Sequence, residues 1–431
     1  MKPTELQATY QNTVRELESR GIMPDRAPSL LPVSEGLKRI LKKSLTAAKK
    51  TIVVAGTNGK GSVCATLEAL FLSAGESVGL YTSPHLEETT ERIRLNGRDV
   101  SKELFCNAYN EVLKKTQDIQ LSHFEMLTLM AAWLFYSGKI APKVDRPIFE
   151  VGLGGKWDAT NAIPHHNCVI TSLGYDHQNL LGNTLEEIAG NKFGIISRLA
   201  SVVHSPLPKE VLELANTTRI KTKSHWVESA SVSWKVEYEK TGPRFIIQTP
   251  WGEAPLALAG PRAIENTATA LTLFKELGYS PEKHLSALSQ VRWVGRMDQY
   301  NLYKGKSSPC PIYLSGDHNV DGIKSLLELL PYYPRNRLYI LVGVVQDKDL
   351  NGILSPLSSI PNSSLFLTET SFRTRPLSQY DDWLTRADGS FKSPEDALLH
   401  LISIAKSNDM ILVTGSLYLV GQLKKCLTKN P

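Results

Sequence analysis

The stretch Val53-Val54-Ala55-Gly56-Thr57-Asn58-Gly59-Lys60-Gly61-Ser62-Val63, VVAGTNGKGSV, decides the fold. A β-branched run ends in glycine, and Gly61 to Gly75, GSVCATLEALFLSAG, then carries apolar residues at helical spacing up to a terminal glycine. The pattern predicts strand, loop, helix. The glycines let the backbone curl so that its N–H groups point inward, and the helix that follows offers its positive end to an anion. Lys60 adds a point charge for outer phosphates, and the Ser62 hydroxyl is placed to bind phosphate or reach Mg2+. The usual phosphate loop, G-x-x-x-x-G-K-[ST], is one residue longer and has no glycine between lysine and serine. The setting between strand and helix favours nucleotide binding over a plain Gly-rich connection.

Outward from this loop, SVGLYTS, RPIFEVGLGG and NCVITSLG read as further buried strands, and SKELFCNAYNEVLKKTQ and HFEMLTLMAAWLFYSGK as helices, the first capped by Ser101 with Glu103 in its opening turn. Strands alternating with helices predict an α/β fold with a parallel-rich sheet and right-handed crossovers. From about Ser201 to Leu258 short alternating runs, SVSWKVEYEK and PRFIIQTPWG, separated by a Gly-Pro turn, predict an antiparallel β insertion or edge within the first domain. A second α/β series starts after a boundary placed near Met297 to Asn301, giving domains 1–297 and 298–431.

A chain of 431 residues suits two or three domains. The net charge of +6, with no block of like charges, fits small acidic ligands better than nucleic acid. The N-terminal stretch reads as a polar amphipathic helix without a signal-peptide core, so a cytoplasmic protein is expected. The longest apolar run, Met126 to Tyr136, is well short of the roughly 20 residues that span a bilayer. Five cysteines stand singly, without C-x-x-C spacing, and read as reduced.

Three more clusters follow predicted strands. TSPHLEETTERIRLNG carries Ser83, His85, Glu91 and Arg92, and is either a ligand loop at a strand end or a capped connection. FEVGLGGKWDATN puts Glu150 at the end of a buried strand, where a carboxylate is costly unless paired or bound to metal. YDHQNLLGNTLEEIAGNKFGII carries Asp176, His177 and Lys192; a lone loop histidine is more often a hydrogen-bonding residue than a ligand. A hydroxyl, a carboxylate and a histidine around ATP-bound Mg2+ make a coherent site, although magnesium more often takes oxygen ligands alone.

GTNGKGS, TSPHL with ERIRLNG, HFEMLTLMA, FEVGLGGKWDATN, DHQNLLGNTLEEIAGNKFGI, GRM, DHN and GSLYLVGQL occur in the order seen in folylpolyglutamate and dihydrofolate synthases, which are similar to the Mur ligases. The chain resembles that family over nearly its whole length. The resemblance implies a Mur-ligase-like P-loop ATPase domain with a β insertion and a smaller C-terminal Rossmann-like domain that brings the amino acid. It also implies that ATP phosphorylates a carboxylate of dihydropteroate or a reduced folate, and that the amino group of L-glutamate attacks the acyl phosphate. Carried over by position, Thr57, Asn58, Gly59 and Lys60, with Gly61 and Ser62, hold the phosphates. Ser83, Glu150 and His177 ligate magnesium, and Lys192 matches a lysine whose carbamate contacts a second magnesium. Asn266, Arg296 and His318 contact ATP. Phe124, Glu125, Trp157, Asp158 and Ala159 line the pterin pocket, where Trp157 either stacks on the flat ring or packs as a core aromatic. The precedent is a monomer whose two domains close on a linker near Asp298.

Three positions depart from the family pattern. D-G-A-H-N-P becomes Ser315-Gly316-Asp317-His318-Asn319-Val320, G-x-H-Q becomes Gly260-Pro261-Arg262-Ala263, and the glutamate before Lys192 is Asn191. The alternatives are a Mur-type amide ligase for a different acid and a nucleotide-binding homologue without turnover; loss of Lys60 or Glu150 would mark the latter, and neither is lost.

Overall fold

Ile52-Val53-Val54-Ala55 forms strand β1 (Ile52–Ala55), buried along its whole length because it is flanked on both sides by parallel neighbours. A strand covered on both faces reads as a continuous apolar run rather than an alternating one. These relations come from a computed structural model, which describes residues 3–21, 26–41, 49–139, 141–239 and 242–428. The remaining strands of this sheet are β2 (Val78–Tyr81), β3 (Ile93–Leu95), β4 (Arg98–Asp99), β5 (Arg146–Glu150), β6 (Asn167–Ile170), β7 (Ser201–His204) and β8 (His225–Glu228), in the order β4-β3-β2-β5-β1-β6-β7-β8. All pairs from β2 to β8 are parallel, while β3 and β4 add an antiparallel edge.

Ser101 accepts from the Leu104 N–H and opens the helix Lys102–Thr116, as its sequence predicts. The apolar run at Met126 lies in the helix His123–Tyr136, where Trp133 and Phe135 are fully buried and Phe135 meets Phe149 of β5 with ring centroids 5.4 Å apart. Burying such a ring contributes about 1.5–3 kcal/mol, so this helix fixes one face of the sheet. Among the described residues no helix is long and apolar enough to cross a membrane.

Contacts divide the chain into two units: Met1–Val232 with Thr249–Ala254 and Glu265–Val291, and Ser233–Gln248 with Pro255–Ile264 and Arg292–Pro431. The second unit is a sheet in the order Gly389–Phe391, Ser363–Thr368, Leu338–Val342, Met410–Thr414, Lys306–Ser315, Arg296–Tyr303, Leu427–Thr428; its first five strands are parallel and the rest antiparallel.

This division corrects two expectations. The segment near Asp298, read as a linker, lies inside the strand Arg296–Tyr303, and the Asp298 carboxylate accepts the Gly295 N–H at 2.6 Å. A half-buried strand with polar residues between its apolar ones resembles a polar linker when read along the chain alone. The antiparallel hairpin Ser233–Glu239 with Gly242–Thr249 was expected within the first domain, but groups with the second unit. Its Trp234 and Phe245 pack on Tyr332 with centroids 5.3 and 5.7 Å apart, a non-local contact that local pattern does not announce. Gly242 and Pro243 open the second strand of the hairpin, and 240–241, where the turn was expected, lie outside the described residues.

Candidate active site

Four neighbouring parallel strands, β2, β5, β1 and β6, end side by side. The segments after them carry, in that order, Ser83, Glu150 as the last residue of β5, the loop 56–59, and Asp176 with His177. Carboxyl ends of parallel strands are where open α/β sheets collect ligands.

The loop is tied down by the segment after β6. Thr57 N–H donates to the Ser172 carbonyl at 2.8 Å. Thr57 Oγ1 donates to the Gly174 carbonyl at 3.0 Å and stands 3.1 Å from the Gly174 N–H, and Thr171 and Ser172 hydroxyls both donate to the Asn58 carbonyl, at 2.7 and 3.2 Å. Sequence reading passed over Thr171 and Ser172 as strand residues; two hydroxyls directly after a buried parallel strand were the available signal. Gly59 caps the helix Lys60–Ser73 in the left-handed region at φ 88°, with no side-chain cap. A Cβ at this position would come within 2.2 Å of Asn266 Oδ1. Asn266, assigned to ATP from the resemblance, therefore lies directly against the loop. Gly59→Ala combines this clash with a backbone conformation that alanine disfavours, and is expected to weaken ATP binding at least tenfold, read by calorimetry.

Lys60 Nζ donates to the carbonyls of Gly56 and Thr57 at 3.1 and 3.0 Å. Lys192, from the helix Leu185–Phe193, is buried and donates to the same Gly56 carbonyl at 2.9 Å. Burial pulls its ammonium down to about 7, the charge of Lys60 acts in the same direction, and Asp176 opposes both. Ser62 is buried at the start of the helix.

Ser83 N–H donates to Glu150 Oε2 at 3.1 Å, which orients a buried carboxylate beside the loop. His177 sits in the left-handed region at φ 50°, with Nε2 3.9 Å from Asp176 Oδ2. Among the described residues no group of three or more His, Cys, Asp and Glu side chains stands at metal-ligand spacing. The donor set fits an ion whose shell is completed by nucleotide phosphates and water, as suits magnesium.

The residues assigned to the pterin pocket divide into two kinds. Glu125 closes a capping box, accepting from Ser122 N–H at 2.8 Å and Oγ at 3.0 Å, and pairs with Arg26 at 2.5 Å. Asp158 accepts from the Gly152 and Leu153 N–H groups at 3.0 and 2.9 Å and from Thr160 N–H and Oγ1 at 3.0 and 2.6 Å; burial raises its pKa against the pull of these bonds. Both carboxylates organise the protein's own loops, so what they contribute to a pocket is its shape. Phe124 and Trp157 present aromatic rings that are not enclosed. The Phe124 ring lies 5.7 Å from that of Tyr81 and against Gly152, where a Cβ would meet its Cζ at 2.6 Å. Trp157 is 50% exposed, with Lys156 Nζ 5.1 Å from its ring centre, so it is no core aromatic. Ala159 is buried in the turn Ala159–Ala162.

Arg296 and His318 belong to the second unit. His318 Nδ1 lies 2.8 Å from the Gly316 carbonyl, which requires Nδ1 to carry the proton. At the departures, Ser315 Oγ donates to Asp317 Oδ2 at 2.5 Å, and Arg262 donates to the Asp321 carbonyl at 3.0 Å. The hydroxyl at 315 thus restrains the displaced aspartate.

A phosphate loop on a parallel sheet, with one buried lysine bound to it and a buried carboxylate at an adjoining strand end, defines a nucleotide-dependent enzyme, and the second unit gives its class: residues 295–417 match the family Mur ligase, glutamate ligase domain. A dihydrofolate synthase/folylpolyglutamate synthase of Bacillus subtilis is 31% identical over 396 residues, covering 87% of this chain and 89% of that protein. Escherichia coli FolC in complex with DHPP and ADP superposes with a TM-score of 0.80 at 27% identity over 96% of this chain and 97% of that one. A bifunctional folylpolyglutamate synthase/dihydrofolate synthase with Mn, AMPPNP and L-glutamate bound gives 0.81 at 28% identity, over 96% and 97%. The chain belongs to the dihydrofolate synthase/folylpolyglutamate synthase family. It is an ATP-dependent carbon–nitrogen ligase.

Proposed function

We propose that this ligase joins L-glutamate both to dihydropteroate and to reduced folates in a single pocket, through an acyl phosphate. The observation that carries the reading is the Lys60 loop locked between Asn266 and the Thr171-Ser172 hydroxyls, with Lys192 donating to its Gly56 carbonyl and Glu150, held by the Ser83 N–H, at a neighbouring strand end. The bifunctional names of the relatives support one pocket for both acids.

An oxygen of the acceptor carboxylate forms a bond to the γ-phosphorus as the bond to ADP breaks; the glutamate nitrogen then forms a bond to the acyl carbon, phosphate leaves, and the amine proton passes to solvent. Such transfer depends on alignment and charge neutralisation more than on covalent help. The loop N–H groups and Lys60 hold the phosphates, and Asn266 fixes their approach. Ser83, Glu150 and His177 would hold magnesium, which would supply charge neutralisation at the phosphates. With its ammonium pulled to about 7, Lys192 is substantially neutral near physiological pH, the form that would take up CO2 as a carbamate, and such a carbamate would supply an anionic ligand for a second magnesium. Arg296 and His318 are assigned to ATP contact, as the family resemblance implies. The enzyme works as a cytoplasmic monomer on small molecules, without nucleic acid or membrane partners.

Phosphate release from ATP with magnesium and L-glutamate, without acceptor and with dihydropteroate or tetrahydrofolate, tests this, with product masses measured. Gain of a glutamate residue on both acids is expected. Gain on one alone would restrict the pocket to that step, and no gain on either, in protein that binds ATP, would move the reading to a different acid.

A further inference from the structure

The segment 83–92, TSPHLEETTER without its first residue, supplies Ser83 to the site and leaves His85, Glu91 and Arg92 without a part in the reaction. Glu91 fixes its shape: Oε2 accepts the Leu86 N–H at 2.8 Å, and Oε1 accepts those of Glu87 and Glu88 at 2.9 and 2.8 Å. The chain then returns to the sheet, where Thr82 N–H donates to the Arg92 carbonyl at 2.9 Å and Ile93 pairs with Tyr81. Arg92 is thereby set at the foot of β3, level with the strand end that carries Ser83.

Its Nε donates to His85 Nδ1 at 2.8 Å. Arginine has only donors, so Nδ1 presents its lone pair and the imidazole is neutral. A neutral acceptor aims the guanidinium without cancelling its charge. His123, at the start of the helix His123–Tyr136, is held down to about 4 by burial and then by the Arg92 charge, so it is neutral as well. Ser83, the residue after Thr82, donates its N–H to Glu150 Oε2 at 3.1 Å. Arg92 and Glu150 are thus each hydrogen-bonded to backbone at Thr82 and Ser83, directly after Tyr81, whose ring lies 5.7 Å from that of Phe124. Arg92, His85 and Phe124 are all half-buried rather than enclosed.

The acceptor acid is an anion that must come close to a triphosphate and to Glu150, both negative. We propose that Arg92, aimed by His85, receives the acceptor's carboxylate next to Ser83 and Glu150 and keeps that charge compensated as the carboxylate is phosphorylated. His85 is a positioning residue that acts through the Arg92 Nε–H. The proposal rests on the ligase reading above.

Calorimetry of dihydropteroate binding tests it independently of turnover. Arg92→Gln is expected to weaken binding about 10- to 100-fold, the size expected for a charged hydrogen bond, while ATP binding stays within about twofold. An analogue in which the benzoate carboxylate is replaced by hydrogen binds wild type and Arg92→Gln alike. His85→Ala weakens dihydropteroate, and His85→Gln, whose amide oxygen accepts the same N–H, restores most of the loss and leaves the KM for ATP unchanged. Equal dihydropteroate affinity in wild type and Arg92→Gln, an equal loss with the carboxylate-free analogue, or no dihydropteroate binding by wild type would each overturn the assignment. The ligase reading fails on a different result, the absence of amide product from wild type.

Discussion

Lys60→Ala is expected to lower kcat by about two to three orders of magnitude, with the folded protein intact. Its ammonium is fixed over the loop by the carbonyls of Gly56 and Thr57, so it is positioned for charge that develops on the transferred phosphoryl group. Removing one such preorganised group typically costs about 2.7–4 kcal/mol of transition-state stabilisation. Lys60 is the first residue of a helix, and alanine is the best helix former, so the unfolding midpoint should stay close to wild type. Stopped-flow phosphate release, with circular dichroism on the same sample, makes the comparison. Turnover near the wild-type value would remove the loop from the phosphate site.

Lys192→Met should act on activity and stability in opposite directions. Activity is expected to fall at least a hundredfold, because no amine remains beside the loop. Stability should rise near neutral pH, and the sign follows from the depressed ammonium. The folded group titrates at about 7, against about 10.4 for a free lysine. Above the free value both states are neutral and the group contributes nothing. Between about 7 and 10.4 the unfolded chain holds a proton that the folded chain lacks, so wild-type stability climbs with pH. Below 7 the burial cost is complete, about 5 kcal/mol at most on this linkage. Methionine keeps the length of the chain and removes that cost, so the variant should gain about 1–3 kcal/mol at pH 6.5, shrinking toward zero by pH 10. Urea unfolding at pH 6.5, 8 and 9.5 in bicarbonate-free buffer measures it. A gain that does not change with pH would contradict a buried titrating amine, and full activity in the variant would take Lys192 out of the site.

The two lysines show how differently sequence exposes a site. Lys60 was legible because phosphate binding needs glycine, lysine and hydroxyl at fixed local spacing, between a strand and a helix. Lys192 lies on a helix 136 residues beyond the Gly56 carbonyl that it reaches, and nothing in its neighbours indicates burial. Glu125 and Asp158 run the other way: both sit in motifs matched to the pterin pocket, yet their oxygens are bound by Ser122 and by the 152–160 turn. A motif records which residues recur together, whereas the hydrogen bonds decide whether a carboxylate faces a ligand or its own backbone.

By itself the sequence determined the alternation of strands and helices, the phosphate loop, the Ser101 cap and the presence of a second α/β unit, because each follows from local spacing, period and turn chemistry. Only the tertiary structure decided that β2, β5, β1 and β6 end side by side, that the hairpin at Trp234 packs on Tyr332, and that the segment at Asp298 is a strand. Strand order and packing depend on contacts between residues far apart in the chain. Their energy is set by shape and burial in three dimensions, which the linear pattern does not carry.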